Sequence, residues 1–520
     1  MTAGEGPGAP VEAASDDNLP PYFLPRLAKG AMINFSGALV RMVLAFAYTL
    51  LLARMLQVDE LGQFFLMFTV VQILSSAALL GLDYGVVRFV ALFLGEGKID
   101  LARRSLFAGL RIVLPAACLL AAVFSVFSAD IAHRFMSDSP AAVTALRIFA
   151  LTFPFWVAAG LANAATQGMH QMRYQVYSRD IGEQAGRVVF TAAVLALGMG
   201  LVGVVWANLA SIIIAASLSL SFALLKFPRS HKPAKASQWP TRRMLAFSVP
   251  LAFSNIMVMI LIWVDLLLLG LLGSASDAGL YGVALKVIAA SSVMLTAFST
   301  MFMPVISDLC NRGRMNELMG LYKTVNRWIF TCSYPIFLIL TIFAASILSF
   351  FGSQFKAGGG ALVLLAISLL INSSLSSAGL LVLMSGWSRL EVFNITISLI
   401  VDVAACFLLI PGHGILGAAI ANVAAAACLN LLRTAEVWFL MKMHAYDRKY
   451  LKPLFAGAAG AALVLISSRF VPEGGRLVSI ILAVGLVAAY LLILLLLGLS
   501  EQDTAVLRLI KKRILGAEAA

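Results

Sequence analysis

Residues 200–208 read Gly-Leu-Val-Gly-Val-Val-Trp-Ala-Asn, and residues 414–422 read Gly-Ile-Leu-Gly-Ala-Ala-Ile-Ala-Asn. Both fit GxxGxxxAN, and each opens a long apolar run. A second pair precedes them. Glu60-Leu61-Gly62-Gln63-Phe64 and Asp277-Ala278-Gly279-Leu280-Tyr281 both read acidic-x-Gly-x-aromatic. The offsets are 217 residues for this pair and 214 for the GxxGxxxAN pair. Two motifs in the same order at nearly the same spacing mark an internal repeat.

The surrounding sequence sets the medium. The chain has 520 residues, 61% hydrophobic and only 12% charged, too few polar groups to cover a water-facing surface of this length. Apolar stretches of eighteen or more residues recur from Ala31 to Gly498, each long enough to cross about 30 Å of hydrocarbon. Backbone polar groups find no water in lipid, so such stretches are helices. A membrane β-barrel would instead show alternating segments of about ten residues. Hydropathy and turn signals predict spans at 30–56, 61–81, 104–128, 142–168, 180–199, 202–226, 244–271, 279–306, 327–350, 359–385, 390–410, 414–441, 452–470 and 477–499. The expected fold is thus an all-α polytopic membrane protein of about fourteen helices. The repeat unit is six helices, an even number, so both copies share one orientation and are related by an axis along the membrane normal. Transporters built this way place substrate between the halves.

The expected segments are a disordered cytoplasmic tail over 1–29, an N-terminal lobe over 30–227, a cytoplasmic linker over 228–243, a C-terminal lobe over 244–442, an extra helix pair over 443–500 and a basic cytoplasmic tail over 501–520. Residues 1–20 are Pro/Gly-rich and acidic and lack the basic and apolar regions of a signal peptide. Of the 38 Lys and Arg residues, 28 fall in segments that a cytoplasmic N-terminus places inside, 6 at outside ends and 4 within helices. That bias follows the positive-inside rule and puts both termini in the cytoplasm. It also accounts for the net charge of +13 without a nucleic-acid partner.

Enzyme motifs are lacking. Gly97-Lys98 is followed by Ile99, so there is no phosphate-binding Walker loop. No GxSxG elbow and no DxD pair occurs. His133 and Asp138 match an HxxxxD spacing in a short outer loop, a chance match. The five cysteines sit in apolar stretches without a CxxC pair and read as small buried hydrophobes, with no metal site or cofactor implied.

The four basic residues inside helices are Arg41, Arg111, Arg187 and Lys286. Embedded charges are costly and by default line a cavity or pair with a partner. Asn34, Arg41 and Tyr48 recur every seven residues on nearly one face of the first helix, with Arg41 about 16 Å deep. One reading is a cationic cavity for an anionic ligand, formed by Asn34, Arg41, Tyr48, Arg111, Arg187 and Lys286. The planar fork of Arg suits phosphate oxygens. The other reading is structural. Glu183 and Arg187 are i, i+4 and satisfy each other, Asp265 and Lys286 pair at similar depth, and Arg111 snorkels inward. Glu183, Asp265, Asp402 and, less readily, Asp83 are candidates for coupling transport to a proton or sodium gradient.

Several segments carry a family resemblance: LARML (52–56) with ELGQF (60–64), GLDYGVVRFV (81–90), VPL (249–251) with DLLLLG (265–270) and GLY (279–281), and LIPGHGILGAA (409–419). Over roughly 30–440 the chain resembles the polysaccharide transporter family, which shares a superfamily with multidrug extruders and the lipid II flippase. The resemblance implies export of undecaprenyl-diphosphate-linked oligosaccharide units across the bacterial inner membrane for O-antigen, capsule or exopolysaccharide. It implies alternating access, and membrane lipids and the polysaccharide polymerase and chain-length machinery as partners. A drug extruder and a lipid II flippase remain as alternative functions, and a glycan polymerase or ligase is disfavoured by the short outer loops.

Overall fold

The computed structural model describes residues 23–136, 140–227, 241–470 and 476–498, with side chains from residue 36 onward in the first helix. The expected 1–29 tail is therefore described only over 23–29, where it is already helical. Pro25 does not prevent this, because first-turn N–H groups have no partner to lose. The 228–243 linker and the 501–520 tail lie largely or wholly outside the described residues.

In the first half, α1 (Phe23–Met55) and α2 (Val58–Ala78) are followed by α3 (Leu82–Gly95), α4 (Ile99–Val126), α5 (Ser128–Phe135), α6 (Pro140–Ala150), α7 (Thr152–Gly168) and α8 (Arg173–Gln175). A π-helical segment, Val176–Glu183, joins α8 to α9 (Gln184–Ala196), and α10 (Gly200–Lys226) ends this half. The second half holds α11 (Thr241–Leu272), α12 (Ala275–Ser291), α13 (Val293–Asn311), α14 (Met315–Ile342), α15 (Ala344–Ser349), α16 (Gly359–Met384), α17 (Ser388–His413) and α18 (Ile415–Glu436). The last pair is α19 (Leu451–Phe470) and α20 (Arg476–Leu496).

Among the described residues twelve helical spans are long and apolar enough to cross a membrane. Two of the fourteen expected spans, 180–199 and 279–306, are not among them. The first carries Asp180, Glu183 and Arg187 and starts inside the π-helical segment. The second is interrupted at Ser292, between α12 and α13. A similar interruption separates α2 from α3, where Leu80 (φ 50°) and Gly81 (φ 66°) take the left-handed conformation.

The repeat has a physical basis. Gly200 and Gly414 both have φ of 53°, so each copy of GxxGxxxAN starts from a left-handed residue that glycine tolerates. Its second glycine lies against the preceding turn: a carbon added at Gly417 would overlap the Leu409 carbonyl. The two copies of the acidic-x-Gly-x-aromatic motif pack against each other. A carbon added at Gly62 would overlap the Ala275 carbonyl, and one at Gly279 would overlap the Val58 carbonyl. Thus α2 crosses α12 backbone to backbone, joining the lobes at the end opposite the basic loops. Small residues permit such close helix contact.

Other contacts close that same end. The Arg54 guanidinium donates from Nε (2.8 Å) and Nη2 (2.6 Å) to the Phe350 carbonyl of the other lobe, and Phe46 meets Phe351 edge-on at 5.3 Å. Along one flank α11 follows α2 and α3, with Asn255 Nδ2 donating to Ser76 Oγ (2.9 Å) and Arg88 over the Phe247 ring (4.2 Å). The final pair packs on α14, where Tyr490 Oη donates to the Thr331 carbonyl (2.9 Å) and Gly457 admits the Tyr334 ring. Hydrogen bonds from an exposed Arg are worth about 1 kcal/mol after solvent screening. Arg54→Ala is expected to raise the open population of this end roughly fivefold. Spin labels at Gln57 and Ser353 then report a growing long-distance fraction, and an unchanged distribution counts against a latch.

Candidate functional site between the lobes

The Val176–Glu183 π-helix sets the first part of the site. It buries Asp180 and Glu183 beside α1 and α9. Such turns recur at functional positions. Arg41 Nη1 lies 3.3 Å from Asp180 Oδ1, with 47% of the Arg41 side chain still exposed against 8% for Asp180. Gly37 permits this approach, since a carbon there would meet Val176 at 2.6 Å. One turn on, Arg187 Nη2 donates to Glu183 Oε1 (2.6 Å), and both are buried. The expected i, i+4 pair is therefore present.

Arg187 also lies over the Phe68 ring, 5.3 Å from its centre. Lys286, from α12 of the other lobe, approaches the same ring at 5.3 Å and also faces Phe65 (5.7 Å) and Trp263 (4.8 Å). Two like charges from opposing lobes thus share one aromatic side chain. Cation–π attraction offsets roughly 0.5–2 kcal/mol per contact. It does not neutralise the charge. Among the described residues Lys286 has no carboxylate within ion-pair distance.

The expected Asp265–Lys286 pair does not form. Asp265 Oδ2 accepts from Tyr281 Oη (2.5 Å) and Asn422 Nδ2 (3.0 Å), and its Oδ1 from the Leu266 N–H (2.7 Å). The reason is helical phase. Tyr281 and Lys286 are five residues apart, about 140° around α12, so one points into its own lobe and the other toward the opposite lobe. Depth alone does not choose a partner. Asp402 lies close enough to Asp265 for their charges to interact, with the Cys406 thiol 3.7 Å from its Oδ1. The C-terminal lobe therefore encloses a pair of carboxylates, whereas the N-terminal lobe pairs its buried carboxylates, Asp180 and Glu183, each with an arginine.

The remaining candidates divide. Tyr48 is buried beside Arg187 and Thr191 and packs edge-on against Phe64 (6.1 Å). Arg111 is on an exposed face of α4, a helix packed chiefly on α3 and α7, and is not brought to the Phe68 cluster. The Asn34 side chain lies outside the described residues. Sequence reasoning missed Asp180, Phe68, Trp263, Tyr281 and Asn422 as site residues. Of these, Asn422 and Tyr281 had a visible signal, as the final positions of the repeated GxxGxxxAN and acidic-x-Gly-x-aromatic motifs. Among the described residues no group of three or more His, Cys, Asp or Glu is arranged to hold a metal ion.

Two lobes built from apolar spans around a charged seam define a polytopic membrane protein. Residues 27–310 match the family described as polysaccharide biosynthesis protein, and the chain belongs to that family. No curated protein matches the sequence. Among solved structures the fold is similar to a multidrug resistance MATE family transporter of the MOP superfamily in an inward-facing conformation. That match has a TM-score of 0.68 and 14% identity, covering 78% of this chain and 96% of that one. It is equally similar to the lipid II flippase MurJ in an inward closed conformation (TM-score 0.68, 13% identity, 89% and 98% covered). A MOP superfamily transporter from Pyrococcus furiosus, whose binding pocket is described as having reverse polarity, gives a TM-score of 0.59 at 14% identity, with 81% and 95% covered.

Proposed function

We propose that the chain is a flippase that moves undecaprenyl-diphosphate-linked oligosaccharide repeat units across the bacterial inner membrane by alternating access. The observation that carries this reading is the convergence of Arg187 and Lys286, from different lobes, on Phe68. A diphosphate placed between them has an anion for each lobe to hold. Charge-assisted hydrogen bonds of this kind are worth about 1.5–3 kcal/mol each. Arg41 adds a third donor, because its open guanidinium can exchange Asp180 for phosphate. The oligosaccharide supplies hydroxyls and apolar sugar faces for the aromatic rings nearby. The family match supports a role in polysaccharide biosynthesis, and the basic seam favours an anionic headgroup over the cationic drugs of an extruder.

The buried Asp265–Asp402 pair is the coupling site in this reading, discharging a proton or sodium gradient as the lobes rock. Glu183 is a partner of Arg187 and serves positioning. The basic loops face the cytoplasm, so the closed end faces the periplasm, and the polymerase receives the product there.

Deletion of the gene is expected to trap lipid-linked repeat units on the cytoplasmic leaflet. Arg41→Ala at normal protein level is expected to lower surface glycan severalfold, and unchanged export would remove Arg41 from the site. Essentiality for growth, with lipid II accumulating instead, would favour the lipid II alternative. Drug resistance on overexpression, with no glycan phenotype, would favour the extruder.

A further inference from the structure

The carboxylate pair has a polar neighbour file that its coupling role does not require. On α17, Asn394, Ser398, Asp402 and Cys406 recur every four residues, and all four are fully buried. They face the seam where α17 meets α11 and α18, as their partners show. Asp402 lies close enough to Asp265 of α11 for their charges to interact, and Asn394 Nδ2 donates to Glu436 Oε2 of α18 at 2.7 Å. From Asp402 to Asn394 is eight residues, about 12 Å along the helix.

Three of these side chains have an atom with no partner: Asp402 Oδ2, Ser398 Oγ and Asn394 Oδ1. The Ser398 case is informative. A hydroxyl within a helix usually bonds back to the carbonyl four residues earlier. Thr396, two residues away, does so to Val392 at 2.8 Å, as do Ser373 and Ser374 on α16. Ser398 does not. Buried polar atoms are almost always hydrogen-bonded, and a row of them at single-turn spacing is the setting in which buried water is held.

The row is one-sided. Toward the basic end it reaches Asn394 and then Glu436, which is partly exposed at the end of α18. Toward the closed end the seam holds Cys406 and Ile410 of α17, Leu266 and Leu269 of α11, and Ala418 and Ala419 of α18, all buried. The titratable groups around the row are Asp265 and Tyr281 beside Asp402, Cys406 above it, and Glu436 below, next to the Arg433–Glu391 ion pair.

We propose that Asp402, Ser398, Asn394 and Glu436 line a hydrated path through the C-terminal lobe, connecting the buried carboxylate pair to the basic end and to no other. A proton leaves the Asp402 carboxyl for a water held by Ser398 Oγ and Asn394 Oδ1. That water passes a different proton to the Glu436 carboxylate, which releases it to bulk, so the water and Glu436 end as they began and Asp402 is left as the carboxylate. In a conformation closed at the opposite end, the pair exchanges with one side of the membrane only. The path rests on the carboxylate pair as the coupling site only for its purpose, and its existence can be tested without substrate.

The experiment is infrared spectroscopy of the full-length protein in lipid nanodiscs, at a pH low enough to protonate the pair. The carboxyl band of Asp402 is identified by its loss in Asp402→Asn. On transfer to heavy water the wild-type band is expected to shift within seconds. Ser398→Val is expected to slow that shift about tenfold or more, leaving it to occasional local opening, whereas Ser398→Thr keeps the rate. A wild-type band that exchanges only over hours overturns the path, and so does a Ser398→Val rate equal to wild type. If Ser398→Val fails to fold, the wild-type rate alone still decides. Because no transport is measured, failure of the flippase reading leaves this result standing, and the reverse holds equally.

Discussion

Gly62→Ala is expected to reduce glycan export at least a hundredfold while the protein remains folded in the membrane. The added methyl overlaps the Ala275 carbonyl and crowds the Gly279 N–H (2.9 Å), both of them backbone. No rotamer relieves a backbone overlap, so α2 and α12 must separate. Overpacking of this kind costs about 1–3 kcal/mol, occasionally more. We expect this cost to fall on the closed form, in which α2 and α12 are in backbone contact, more than on a form open at this end. The variant therefore populates an open form rather than unfolding. Gly279→Ala, which overlaps Val58 from the other lobe, is expected to act the same way. Spin labels at Gln57 and Ser353 separate this outcome from simple misfolding. A long, narrow distance supports it, and a wild-type distance with normal export contradicts it.

The second large effect is expected across the cationic seam. Removing Lys286 leaves no buried partner stranded, since its contacts are the rings of Phe65, Phe68 and Trp263. Lys286→Met is therefore expected to keep stability within about 1 kcal/mol and to lower export a hundredfold or more. Arg187→Met is different. It leaves the Glu183 carboxylate buried and unpaired, a cost of about 3–5 kcal/mol. The double variant Glu183→Gln with Arg187→Gln removes both charges and is expected to restore the protein level but not export. Recovery of export with both charges gone would show that Arg187 serves only to satisfy Glu183. Lys286→Arg, which keeps the charge, is expected to retain most activity.

Much of the architecture was legible because its signals are periodic. The apolar runs announced the spans, and the paired glycine motifs announced the lobes. The structure gives those motifs their physical reason: Gly62 and Gly279 face each other, and Gly200 and Gly414 turn the chain with the same positive φ. The two spans that fall short fail for local reasons, a charged π-helical turn before α9 and an interruption at Ser292. The π-helix also concealed Asp180. A turn with more residues breaks the 3.6 period used to sort faces.

The site was harder to read. Charges inside helices stand out, so Arg41, Arg187, Lys286, Asp265 and Asp402 were all visible. Apart from Glu183, one turn before Arg187, their partners were not. Phe68 is one of three phenylalanines in Phe64-Phe65-Leu66-Met67-Phe68, and nothing in that run marks the one that two cations share. Asp265 and Lys286 looked like partners because they lie at one depth, whereas rotation about α12 turns them apart. Partner choice depends on helix phase and on which lobe a face meets. A single sequence records the first weakly and the second hardly at all.

The most direct test of the central claim is translocation by the purified full-length protein in liposomes, using undecaprenyl-diphosphate oligosaccharide accessible to a membrane-impermeant glycan-cleaving enzyme on one side. The account predicts protein-dependent transfer between leaflets that is lost in Lys286→Met and in Gly62→Ala. Transfer that proceeds equally with those variants, or a wild-type protein that moves cationic drugs and no diphosphate-linked glycan, would contradict it.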